Sequence, residues 1–141
     1  MTCPSPSPDI KAVLDACSDT QREGLVRLRK LIFARAAELP CIGRVDEALR
    51  WGQPAYLTPD TGAACSLRIG MAPGGDFALF VHCKTGLIQN FAQGPGAGMR
   101  VQGTRAVLFS TATDIAAPAV SMLIGQALTY HLAKMTAELA K

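Results

Sequence analysis

Two runs of alternating side chains on either side of Pro73-Gly74-Gly75 constrain this chain more than any other feature. Cys65, Leu67, Ile69 and Met71 alternate before the turn, and Phe77, Leu79, Val81 and Cys83 alternate after it. Successive side chains of a strand point to opposite faces, so each run has one face to bury, and the Pro-Gly-Gly between them is a hairpin signal. The register follows from the pattern. Both apolar sets must meet one core, because a slip of one residue would turn one of them to water. A loop that pairs Ala72 with Asp76 satisfies this. It predicts strands over Ala64–Ala72 and Asp76–Lys84, with Leu67 opposite Val81, Arg68 opposite Phe80 and Cys65 opposite Cys83.

The other face of this hairpin then carries Ser66 and Arg68 on one strand and Phe80, His82 and Lys84 on the other. An antiparallel sheet often leaves one face to water, which accounts for the polar residues but not for Phe80. Trp51, Tyr56 and Arg105 are expected to join this face if their strands lie beside the hairpin. Tyr and Trp are common anchors at binding surfaces. The candidate ligand-binding set is therefore Trp51, Tyr56, Arg68, Phe80, His82, Lys84 and Arg105.

The remaining elements fall around the hairpin. A short helix is expected from Ile10 to Ala16. Ser18 and Gln21 form a capping-box pattern, and Leu25, Leu28, Ile32, Ala36 and Leu39 recur at helical spacing until Pro40 stops the run. Gly24 lowers helix propensity slightly. The segment Trp51-Gly-Gln-Pro-Ala-Tyr56 reads as a strand ending at Trp51, a kink, and a second strand from Pro54 to Thr58. Pro59–Gly62 is a turn, Gly86–Phe91 a short helical or irregular piece, and Gly94–Gly98 a flexible loop. A last strand covers Thr104–Ser110. A final helix begins near Pro118 with a stripe of Val120, Leu123, Ile124, Ala127, His131 and Met135, on which His131 is expected to pack. Helices at both ends and a meander between them predict an α+β two-layer sandwich: an antiparallel sheet of about five strands with the N- and C-terminal helices on one face.

At 141 residues the chain fits one domain. Residues 1–8, rich in Pro and Ser, read as an extended or disordered tail, with no basic segment leading into an apolar one, and 9–141 as the domain. Cys3, Cys17, Cys41, Cys65 and Cys83 are odd in number and widely spaced, which argues against a disulfide framework or zinc knuckle and points to a reducing, cytoplasmic setting. No apolar run approaches the ~20 residues of a membrane span. The net charge of +3 does not argue for nucleic acid, and the cluster Arg22, Arg27, Arg29, Lys30 and Arg35 reads as a solvated helix face.

Chemistry-bearing patterns are sparse. His82 and Cys83 are neighbours on a strand, so imidazole and thiol diverge. Asp46 and Glu47 diverge for the same reason. Gly94-Pro-Gly-Ala-Gly98 lacks the strand–loop–helix setting and the Gly-Lys-Ser/Thr of a phosphate loop. His82 and His131 have no accompanying ligand cluster, so no metal or cofactor is expected. The reading leans away from an enzyme.

Val45-Asp-Glu-Ala-Leu-Arg-Trp-Gly-Gln-Pro-Ala-Tyr-Leu57, Phe80-Val-His-Cys-Lys-Thr-Gly-Leu-Ile88, Gly103-Thr-Arg-Ala106 and Ala127-Leu-Thr-Tyr-His131 resemble, in this order, the YdhG-like family of small bacterial domains of unknown function. The most specific piece is Glu-x-x-x-Trp-Gly-x-Pro-x-Tyr, met by Glu47, Trp51, Gly52, Pro54 and Tyr56. The resemblance implies a frataxin-like α/β sandwich. It also raises an iron-chaperone role, which the few acids on the early helices (Asp15, Asp19 and Glu23) disfavour. The sequence therefore predicts a non-enzymatic binding module that takes a small anion or acidic partner on its open sheet face. A homodimer contact through the same face is the alternative.

Overall fold

The computed structural model describes residues 3–132, the side chain of Cys83 excepted. Helices α1 (Pro8–Asp15) and α2 (Asp19–Ala37) lead into strands β1 (Asp46–Arg50), β2 (Gln53–Leu57), β3 (Leu67–Met71) and β4 (Phe77–Val81). Helix α3 (Leu87–Gln93), strands β5 (Val101–Gln102) and β6 (Ala106–Phe109) and helix α4 (Ala117–Leu128) complete the order. The strands form one antiparallel sheet in the order β1-β2-β3-β4-β6-β5. The α+β sandwich is as the sequence predicts. The sixth strand is the two-residue β5, too short to leave a periodic trace.

The central hairpin has the predicted register. Leu67 faces Val81, Arg68 faces Phe80 and Ile69 faces Leu79, while the Ala72 amide donates to the Asp76 carbonyl at 2.8 Å. Its strands are shorter than the alternation suggests, because the chain leaves β4 after Val81 in a 3₁₀ turn over Cys83–Thr85. Cys65 lies beyond the β3 ladder, its amide bonded to the Ala127 carbonyl of α4. The expected Cys65–Cys83 pairing is not formed: the ladder ends at Leu67 and Val81, and Cys83 already belongs to the 3₁₀ turn.

One face of the sheet is the core face. Leu67, Ile69, Phe77, Leu79, Val81, Val107 and Phe109 meet Leu25, Leu28 and Ile32 of α2 and Val120, Leu123, Ile124 and Ala127 of α4. The approach of α2 depends on Gly24. A Cβ there would stand 2.0 Å from the Phe77 ring, and that ring stacks on Phe109 with centroids 5.4 Å apart. Gly24 is thus a packing residue rather than only a weak spot in the helix. The start of α2 is fixed twice. The Ser18 and Gln21 side chains and amides cap each other, and Gln21 Nε2 donates to the Asp76 carbonyl at 3.1 Å, tying the helix to the β3–β4 turn.

The structure corrects two expectations here, those for Arg29 and His131, and gives the Gly94–Gly98 loop its shape. Arg29 is not on a solvated face: its side chain is 7% exposed and turned into the core, where a buried charge requires the partner described below. Gly94–Gly98 is a run of tight turns packed by Phe91, whose ring a Cβ at Gly96 would strike at 2.1 Å. His131 is exposed, because α4 ends at Thr129, whose hydroxyl donates to the Gly125 carbonyl at 2.8 Å. The stripe loses its phase at that break, and Met135 lies outside the described residues.

Candidate functional site

The face away from the helices is built from one cross-strand row. The register pairs Ala48 with Ala55, Ala55 with Arg68, Arg68 with Phe80, Phe80 with Ala106 and Ala106 with Gln102. Two large side chains, Arg68 and Phe80, stand side by side with alanines to either side. Gly70 and Ala78 are paired in the adjoining row. The small residues are themselves covered, Ala55, Ala78 and Ala106 being buried and Gly70 lying under the Gln53 side chain, and beside Arg68 and Phe80 a concavity of about 450 Å³ opens, lined also by Trp51, Gln53, His82 and Arg105.

Trp51 reaches this concavity from the β1–β2 turn. Trp51 and Gly52 form the two central residues of a hairpin with φ of 51° and 72°, joining Arg50 to Gln53. Positive φ at both positions is the geometry that suits a two-residue hairpin. Glycine adopts it freely, whereas a left-handed tryptophan costs roughly 1–3 kcal/mol. The predicted kink is therefore a full chain reversal. Its tip presents the indole 82% exposed, with the Arg68 guanidinium 4.9 Å from the ring centroid. The same guanidinium is 5.7 Å from the Phe80 centroid. Its Nη1 donates to Gln53 Oε1 at 2.9 Å, and its buried Nε has no hydrogen-bond partner among the described residues. Among the described residues no carboxylate lines the concavity.

Of the residues singled out from the sequence, Trp51, Arg68, Phe80, His82 and Arg105 share this space. Tyr56 does not. It is fully buried on the core face, because the Ala55–Arg68 bridge places Ala55, and not its neighbour, on the open side. Its hydroxyl donates to Glu47 Oε2 at 2.8 Å. Arg29 completes that cluster with Nε at 2.7 Å and Nη2 at 2.8 Å from the two Glu47 oxygens, and its Nη1 donates to the Cys3 sulfur at 3.0 Å. Lys84 also stands apart. The 3₁₀ turn after β4 carries it to a neighbouring cavity, which shares His82 and Ser66 with the first. Gln53 joins the site without having been expected there. Its alternation with Pro54 and Ala55 in β2 is the signal of it in the sequence.

Ionisation gives little sign of catalysis. Burial, then the Glu47 charge and hydrogen bond, push the Tyr56 phenol well above its ordinary range. Burial also pushes the Cys65 thiol up to about 11, so it is neutral and a poor nucleophile at physiological pH. His82 Nδ1 accepts from the Lys84 amide at 3.2 Å, which leaves the proton of the neutral ring on Nε2. Among the described residues no three His, Cys, Asp or Glu side chains gather as a metal site, and no helix is long and apolar enough to cross a membrane. No protein-family model, curated protein or solved structure matches the chain.

Proposed function

We propose that this protein is a non-enzymatic binding module whose open sheet face takes a small anion, with Arg68 as the charged anchor. The observation that carries this is the state of Arg68. Its guanidinium is half-buried between two aromatic rings and donates to a neutral amide. Removing a cation from water is unfavourable unless a counter-charge is supplied, and a planar guanidinium is suited to a planar carboxylate. Arg105, also without an ion pair among the described residues, adds to the field. Trp51 and Phe80 offer an apolar wall for a ring attached to the carboxylate. The strained, exposed tryptophan supports the same reading, since backbone strain is retained where surrounding structure or function requires it.

We also propose descent from the YdhG-like domains. Support comes from the physical coherence of the shared motif: Glu47 and Tyr56 close a buried ion-pair cluster, and Trp51-Gly52 makes the turn between their strands. A cytoplasmic setting belongs to the same proposal.

Trp51 is the single tryptophan, so its fluorescence reports on the concavity. Titration with benzoate should give a saturable change that Arg68→Met abolishes. A flat response, or an unchanged one in the variant, would sink the proposal. A dimer in sedimentation that Trp51→Ala dissociates would replace it with self-association through this face.

A further inference from the structure

We infer that the neighbouring cavity, on the far side of His82, is a separate site for a phosphate group. Its lining brings together both histidines of the chain with Lys84, Ser66 and Tyr130 over a floor that includes Cys65. Three parts of the fold converge to make it. The 3₁₀ turn after β4 supplies Lys84. The segment leading into β3 supplies Ser66. The chain after α4 supplies Tyr130 and His131, and the end of α4 and the chain after it are fastened to that segment by one backbone bond each, Cys65 amide to Ala127 carbonyl at 3.0 Å and His131 amide to Ala63 carbonyl at 2.9 Å. The break at Thr129 is what turns His131 into this space, its ring edge-to-face with Tyr130 at 5.1 Å.

The donors there are uncommitted. Among the described residues Lys84 has no ion pair, the Ser66 and Tyr130 hydroxyls have no hydrogen bond, and no carboxylate lines the cavity. The Cys65 thiol at the floor is protonated at neutral pH and does not repel an anion. The volume, about 270 Å³, falls just below the ~300 Å³ at which pockets for whole drug-sized ligands begin, so the site fits one charged group. The chemistry separates this group from the ligand of the Arg68 concavity. A point-charge ammonium, two imidazoles and hydroxyls arriving from three directions suit a tetrahedral oxyanion, whereas the planar fork of Arg68 suits a carboxylate. Thr85 completes the lining, but its hydroxyl is spent on the His82 carbonyl at 2.8 Å.

The two imidazole signals of the full chain give the test by NMR at fixed pH and ionic strength. Inorganic phosphate, and in a separate arm methyl phosphate, should shift both signals along one saturable curve in the millimolar range or tighter. Lys84→Met and His131→Gln, both at exposed positions, should each weaken binding about tenfold while circular dichroism stays unchanged. Arg68→Met should leave the affinity within about twofold, which keeps this site independent of the benzoate result. Tighter binding of methyl phosphate identifies the ligand as a phosphomonoester, and tighter binding of inorganic phosphate identifies the free ion. No saturation up to roughly 20 mM, or an affinity indifferent to both variants, would overturn the proposal.

Discussion

Two arginines on opposite faces of one sheet show how differently a fold can treat the same side chain. Each lies over an aromatic ring, Arg29 5.0 Å from the Phe33 centroid and Arg68 4.9 Å from that of Trp51. Arg29 is closed off. Glu47 grips it with both oxygens, and Tyr56 donates to the same carboxylate. Among the described residues Arg68 has one hydrogen-bond partner, the neutral Gln53 amide. A buried ion pair does not by itself raise stability, but removing one partner leaves an uncompensated charge. The core-face arginine is therefore part of what the fold requires, and the open-face arginine is charge held ready for something outside the chain.

The largest effect should come from breaking the closed pair. Glu47→Gln keeps the shape of the side chain but strands Arg29, and should cost about 3 to 5 kcal/mol in urea unfolding. Arg68→Met keeps the apolar stem beside Phe80 and removes a charge with no counter-ion, so its cost should stay within roughly 1 kcal/mol. Equal losses in the two variants would erase the distinction between the faces.

Alkaline pH probes the same contrast more gently. The Cys65 thiol is held protonated by burial, its value raised from about 9 to about 11. The unfolded chain loses that proton first, so the stabilisation is complete below pH ~9 and is lost as pH rises toward ~11, on the order of 2 to 3 kcal/mol. Tyr56 is shifted the same way and adds its own loss above its ordinary range near 10. Cys65→Ala should flatten the pH 9–11 segment of the stability curve, and Tyr56→Phe the part above it. A wild-type curve that stays flat across this range would mean that water reaches the core face.

The hairpin around Pro73–Gly75 is legible in the sequence because a period of two and a turn signal together leave one register. The side taken by Tyr56 is not. It depends on β2 meeting β3 through the Ala55–Arg68 bridge, a tertiary choice that no local pattern announces, and Trp51-Gly52 does not look like the usual Asn-Gly turn. Arg29 hides among other arginines of α2, its partner lying in a different element. Lys84 and His131 depart from their expected places because a strand and a helix end sooner than their patterns suggest, after Val81 and at Thr129. The place of Gln53 beside Arg68 carries no signal in sequence either, since the two meet only once β2 and β3 are registered. Periodicity finds the faces of the sheet, and the limits of each element decide which residues share a site.

The subtlest prediction separates function from stability at one position. Trp51 sits at φ 51° in a turn that favours Asn before Gly. Trp51→Asn should relieve backbone strain of roughly 1–3 kcal/mol and give up the cation–π contact with Arg68, worth about 0.5–1 kcal/mol. Thermal unfolding should therefore shift by no more than a few degrees, upward if strain relief outweighs the lost contact. A binding role makes a different demand, because the indole is the wall against which the ring of a ligand would lie. With the tryptophan gone, benzoate affinity is read by calorimetry, and it should fall about tenfold or more. A variant that is as stable as the parent but does not bind would show that the exposed tryptophan is retained for the ligand. A variant that binds equally well would reduce Trp51 to a poor turn residue and leave Arg68 as the sole support for the open face.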